Sequence, residues 1–255
     1  MSQRPRTMRE KPEMFCKLLS VYRKLIRRSS MQHRSLWPLT AILVFAVASA
    51  CGGGGSDAPS EPAASAEPAA PAFDPSTAGN ITGSVMLEGE PPAAETIRMN
   101  SDPVCVKEAT NTETDYYAVG DSGGLGNVFV YVKEGLQGSF PPDSSTVILD
   151  QNGCRYTPHV LGLQVGQTLQ VVNSDPTLHN IHATPTNNPE FNTGQPIEGM
   201  TFDRTFDSAE IMVPFKCDVH GWMNGFVGVV DHPFFSVSGN DGSFDIITLP
   251  PCSYV

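Results

Sequence analysis

The chain has 255 residues and a formal net charge of −11, but that charge is unevenly placed. Residues 1–50 carry ten Lys/Arg against two acidic side chains, so the remainder stands at −19 without them. A chain that acidic repels phosphate backbones, which excludes nucleic-acid binding; it suits a basic protein partner, or simply solubility.

Residues 36–50 (LWPLTAILVFAVASA) form a 15-residue apolar run ending in small residues. The run is too short for a comfortable membrane span and has the form of a signal-peptide core, with Met31 the natural start of a compact signal. Residues 48–51 (ASAC) resemble a bacterial lipobox, with Ala48 where Leu is usual. This implies cleavage before Cys51, lipidation of Cys51, and a lipoprotein on the periplasmic face of an envelope membrane. Gly52 after that cysteine, in place of Asp, suits outer-membrane sorting. Residues 51–80 are rich in Gly, Ala, Pro, Ser and Glu, lack apolar residues for a core, and fit a disordered tether.

From residue 81 the pattern is all-β. Short runs rich in β-branched and aromatic residues recur at 81–87, 127–132, 146–149, 155–163, 168–173, 179–184, 200–206, 210–215 and 225–231. Gln151-Asn152-Gly153 between two of them is a hairpin-turn signal. Many short strands punctuated by Gly, Pro, Asn and Asp predict an antiparallel sandwich or barrel over 81–231. No amphipathic helix is expected after residue 80, and residues 104–126 read as an irregular excursion.

Residues 232–255 repeat the β character in miniature. Residues 234–238 and 243–249 flank Gly239-Asn-Asp-Gly242 and predict a hairpin, followed by Leu249-Pro-Pro-Cys-Ser-Tyr254. The segment resembles the start of a carboxypeptidase-regulatory-like β-sandwich (D-G-x-F…L-P-P-G-x-Y), truncated, with Cys252 where Gly is expected. A lone hairpin is marginal in water, so this one must pack on the rest of the chain.

The chemistry concentrates in Cys217-Asp-Val-His220-Gly-Trp-Met223, read with His179-Asn180 38 residues upstream. One thiolate, two imidazoles and a thioether make a soft, mixed donor set suited to an ion cycling between Cu(I) and Cu(II). Three of these donors fall within seven residues, which suits one tight loop between the strands 210–215 and 225–231. His182 competes with His179, but residues three apart on a strand face opposite ways, so only one can look inward. If both bound with Cys217 and His220, the set would also accept zinc. His159 and His232, beside prolines, read as structural or solvated. If Cys51 carries lipid and Cys217 binds metal, Cys105 and Cys154 remain as a natural disulfide pair, with Cys252 left over; a Cys217–Cys252 disulfide would instead abolish the metal site.

Asn173-Ser-Asp-Pro-Thr-Leu-His179-Asn180 and C-x2-H-x2-M at Cys217, His220 and Met223 resemble the ligand motifs of the cupredoxins, the plastocyanin and amicyanin family. The loop spacing is of the short amicyanin type, and the arrangement with the C-terminal hairpin also resembles bacterial proteins labelled methylamine-utilisation or plastocyanin-like. The resemblance implies a Greek-key sandwich holding one type 1 copper, with His179, Cys217 and His220 as its plane and Met223 as a weak axial ligand. It gives Asn180 the task of bracing the ligand loop. Val219 departs from the proline common before the second histidine, and Trp222 is bulky enough to shield the metal or to form part of a docking surface. The function implied is single-electron transfer rather than catalysis, with a cytochrome or dehydrogenase as redox partner. The competing readings are a copper store or delivery protein, and an extracellular β-sandwich binding module with a structural metal.

Overall fold

The computed structural model describes residues 75–255. The signal sequence, the Met31 start, Cys51 and most of the tether lie outside the described residues.

The chain adopts the all-β class expected. The strands among the described residues are β1 Gly79–Ser84, β2 Phe129–Tyr131, β3 Val147–Asn152, β4 Arg155–Thr157, β5 Val160–Gln164, β6 Leu169–Asn173, β7 His179–Ala183, β8 Phe191–Gln195, β9 Thr201–Arg204, β10 Glu210–Lys216, β11 Asn224–Val230, β12 Phe235–Val237 and β13 Ser243–Leu249. A five-stranded sheet runs β5-β11-β10-β7-β8 and a four-stranded sheet β4-β3-β6-β9. The chain passes back and forth between them. Leu149, Leu169 and Val171 from one sheet and Leu161, Leu163, Ile181, Ala183, Val213, Phe215, Val227 and Val229 from the other share one buried cluster. In β6 burial alternates strictly, Leu169, Val171 and Asn173 facing in, as a strand with one face on a core requires.

Three features depart from the sequence reading. First, the sandwich is mixed rather than antiparallel: β11 pairs parallel with β5, and β3 with β6. Second, the 104–126 excursion begins with a helix, α1 (Pro103–Glu108), capped by Asp102, whose carboxylate accepts the Val104 N–H, and started by Pro103. Asp-Pro is an N-cap and N1 signature, but six residues are too few to show a helical period. Third, β8 forms where the sequence shows no strand pattern. Its Asn192-Thr-Gly194 centre is weakly apolar, and it is held as an edge strand by antiparallel pairing with β7.

The β3–β4 hairpin turns one residue later than Asn-Gly suggests. Asn152 pairs with Arg155, so Gly153 and Cys154 are the two central residues, with φ of 60° and 56°. Positive φ at both positions is the type I′ requirement that matches strand twist. A cysteine is unusual there; Cys154 is bonded to Cys105 of α1, which ties helix to hairpin.

The C-terminal strands form as expected and are joined by the Gly239–Gly242 turn, but each takes its ladder from a strand far earlier in the chain rather than from the other. β13 pairs with β1, and β12 with β2. A second apolar cluster of Val132, Phe234, Ile246 and Leu249 lies among them. This layer docks on the outer face of the five-stranded sheet at Gly162 and Gly228, which are register partners in β5 and β11. A methyl group at Gly228 would lie 2.5 Å from the Phe129 ring, and one at Gly162 would lie 2.5 Å from that of Phe235. The missing Cβ atoms therefore leave the slot the two rings fill. Gly228→Val is expected to destabilise by about 2 kcal/mol through overpacking and to speed amide exchange in β2 and β12. Amide exchange unchanged there would show that the rings do not depend on the slot.

Candidate metal centre

His179 opens β7, and its side chain falls on the core face with Ile181 and Ala183, all three fully buried. His182 falls on the opposite face. There its Nδ1 meets the Asp218 carboxylate at 2.7 Å and its Nε2 meets Glu190 at 2.8 Å, and these carboxylates raise its pKa. Strand alternation thus separates the two histidines, and His179 is the one brought to Cys217 and His220.

Cys217 follows the last residue of β10, and Asn224 begins β11 opposite Lys216. The loop between them closes on itself. The Cys217 N–H donates to the Met223 carbonyl (3.1 Å) and the Met223 N–H to the His220 carbonyl (2.9 Å). The His220 N–H donates to the Cys217 sulfur at 3.3 Å. Met223 is buried in the same apolar cluster as Cys217. Asn180 fastens this loop to β7: its side-chain oxygen accepts the Asp218 N–H at 2.6 Å, and its own backbone N–H bonds the Cys217 thiolate. The Tyr156 hydroxyl donates to the Asn180 carbonyl at 2.6 Å, anchoring β7 from β4.

The donor atoms of His179, Cys217 and His220 lie within 4.8 Å of one another, and all three residues are buried. The two Nδ1 atoms face each other at 3.0 Å, and His220 Nδ1 is 4.0 Å from the Cys217 sulfur. These separations can be spanned by one ion with bonds of about 2 Å. Burial pushes the Cys217 thiol up, but the His179 and His220 imidazoles beside it and the backbone N–H groups of Asn180 and His220 bring it down to about 6. The thiol is therefore largely thiolate at neutral pH, the form that binds metal.

The other ring nitrogens explain the tautomers. His179 Nε2 donates to Asp175 at 2.8 Å and His220 Nε2 to Asp102 at 3.1 Å. With both protons held at Nε2, both Nδ1 lone pairs point at one place together with a thiolate. Three electron-rich atoms aimed at one buried point call for a cation, so the donor set fits a thiophilic metal.

Neither carboxylate was singled out from sequence. Asp175 is 3% exposed and accepts the Gly153 and Cys154 N–H groups, each at 2.8 Å, besides His179. Its signal is its place inside the Asn173–Asn180 motif, four residues before His179. Asp102 carried only the cap signature. Asp102, Cys105 and His220, and likewise Cys154, Asp175 and His179, also cluster tightly. The two sulfurs there belong to the disulfide, so these groups hold the imidazoles rather than offer further thiolates.

Trp222 packs its ring 5.0 Å from that of His220 and donates from Nε1 to the Cys154 carbonyl at 3.1 Å, covering that imidazole. Cys217 is the free thiol among the described residues. Cys217 and Cys252 are therefore not bonded to each other, and the thiol at the site stays available. His232 is structural: its Nε2 donates to the Val132 carbonyl at 2.8 Å. His159 packs edge-on against Phe226.

No protein-family model matches the chain, and no curated protein matches it. Solved structures show similarity to cupredoxins over about a third of the chain. A variant of amicyanin in its Cu(I) form is 23% identical, with a TM-score of 0.30, covering 33% of this chain and 81% of amicyanin. A purple cupredoxin from Nitrosopumilus maritimus is 26% identical, with a TM-score of 0.29, covering 33% of this chain and 98% of that one. A copper-containing nitrite reductase from Thermus scotoductus SA-01 is 24% identical, with a TM-score of 0.31, and the match spans 39% of this chain and only 25% of the reductase.

Proposed function

We propose that the protein is an exported, membrane-tethered type 1 copper protein that carries single electrons, a carrier rather than an enzyme. The observation that supports this most is the opposed pair of imidazoles. Their Nδ1 atoms meet beside a low-pKa thiol while both Nε2 atoms are engaged by carboxylates. Copper in such a site supplies a one-electron Cu(I)/Cu(II) couple.

The chain's own residues supply the rest. His179, Cys217 and His220 would form the donor plane, with Met223 as a weak axial contact. Asp175 and Asp102 would hold both imidazoles in one orientation through both oxidation states, so little rearrangement would accompany transfer. Burial of all three donors would exclude water. Leu178 and Val219, each next to a ligand histidine, are 42% and 46% exposed and offer apolar surface for docking. The acidic charge favours a basic redox partner, such as a cytochrome or dehydrogenase. Protein-film voltammetry should give a reversible one-electron wave.

Burial of every donor also favours the competing reading of a stored copper. Tight Cu(I) binding without a reversible wave would establish that reading in place of the carrier.

The lipobox-like residues 48–51 and the tether after them support a lipoprotein of the bacterial envelope, on the periplasmic face of the outer membrane. Mass spectrometry of the native protein should find residue 51 as a diacylglyceryl-cysteine N-terminus. An unmodified Cys51, or a retained Met1 segment, would overturn the anchor.

A further inference from the structure

We propose that Asp102 is a positioning residue of the metal centre. It holds the Nε2–H of His220 so that the Nδ1 lone pair stays aimed at the point shared with His179 and Cys217. The inference rests on the metal-binding reading above.

His179 lies in a strand and inherits its direction from the β7 ladders. His220 lies in a loop, where no ladder fixes it, and rotation of its ring would present either nitrogen to the metal point. Trp222 covers the ring, but stacking does not tell one nitrogen from the other. Asp102 does. Its Oδ2 takes the His220 Nε2–H at 3.1 Å and the Thr177 hydroxyl at 2.7 Å, while its Oδ1 caps α1 through the Val104 N–H at 2.8 Å.

Asp102 reaches His220 across 118 residues of sequence. A six-residue helix does not hold itself in place. It is held by Cys105, fully buried and bonded to Cys154, whose sulfur partner sits 3.6 Å from His220 Nε2. Cys154 lies in the hairpin turn whose N–H groups bind Asp175, and Asp175 holds His179. The two ligand imidazoles are thus oriented by two carboxylates mounted on either side of one disulfide. The frame runs His179, Asp175, the β3–β4 turn, Cys154, Cys105, α1, Asp102, His220. The excursion that the β-pattern left unexplained is the piece that completes it.

Two substitutions separate positioning from mere structure. In Asp102→Asn the one remaining oxygen is claimed by the Val104 N–H, so the amide NH2 faces His220. A donor opposite Nε2 favours the tautomer with the proton on Nδ1, pointed at the metal site. In Asp102→Ser the cap on α1 is kept, but the side chain is too short to reach His220. Nitrogen-15 NMR of the metal-free protein should show His220 protonated at Nε2 in the wild type and at Nδ1 in Asp102→Asn. Cobalt(II) titration should show affinity lowered about 10–100-fold in Asp102→Asn, as for other partners of metal-bound imidazoles, and by less in Asp102→Ser, with both variants folded by circular dichroism. A wild-type His220 protonated at Nδ1, or wild-type cobalt affinity in Asp102→Asn, would overturn the proposal. Should the wild type bind no cobalt or copper, the metal reading itself fails, and the tautomer measurement still decides whether Asp102 sets the ring.

Discussion

Cys217→Ser is expected to abolish the intense visible colour of the copper-loaded protein while leaving the sandwich folded. The colour of a trigonal His/His/Cys site comes from charge transfer out of a short, covalent thiolate bond, and a hydroxyl provides no such donor. The substitution is nearly isosteric at a position 2% exposed, so the fold survives it. The loop bonds through the Cys217 N–H and the Met223 N–H are also untouched, because they use backbone atoms. Met223→Leu is the contrasting case. The axial contact tunes such a site rather than creating it, so the colour stays and the reduction potential rises as the loss of a donor favours Cu(I). Absorption spectra of both variants after copper loading check the pair; a coloured Cys217→Ser protein would place the thiolate elsewhere.

Asp175→Ala is expected to be the most destabilising single change near the site. It leaves two buried backbone N–H groups and the His179 Nε2–H without an acceptor. At about 1–3 kcal/mol for each unsatisfied group, the metal-free protein should lose about 3–5 kcal/mol, read from urea unfolding midpoints. Metal affinity should fall as well, since His179 loses the carboxylate that orients it. The effect has a pH signature. Burial works to raise the Asp175 carboxyl, but hydrogen bonds from His179 and the Cys154 and Gly153 N–H groups hold it below the ordinary value. A depressed folded-state pKa gives stability that is full above about pH 4 and is lost as the pH falls through the folded value. Wild-type stability should therefore decline on acidification through that window, and the variant's should decline less. Equal acid limbs would mean that Asp175 contributes no ionised hydrogen bonds.

The loop from Cys217 to Met223 could be read from sequence because its chemistry is local. Cys217 and His220 sit in one short loop between two strands, and nothing distant has to be known to see that they come together. The choice of His179 over His182 was open to the same reasoning, since a strand sends residues three apart to opposite faces. What stayed hidden depends on distance or on pairing. Asp102 meets His220 across 118 residues through a helix too short to leave a period. Asp175 looked like one polar loop residue among several until the β3–β4 turn was folded over it. Gly162 and Gly228 are unremarkable in their own strands; only the parallel register of β5 and β11 puts them side by side as a slot for Phe129 and Phe235. Strand patterns show which residues face a core, not which strand lies alongside, so the parallel pairs and the exchange of C-terminal strands onto β1 and β2 left no trace in the hydrophobic alternation.

The proposed type 1 copper site is formed by His179, Cys217 and His220. It is tested most directly by the visible and electron-paramagnetic-resonance spectra of the purified protein loaded with one equivalent of Cu(II). An intense blue or green charge-transfer band with the narrow copper hyperfine splitting of a covalent thiolate site is expected. A colourless protein, with the wide splitting of ordinary tetragonal Cu(II) or with zinc bound as readily as copper, would contradict it.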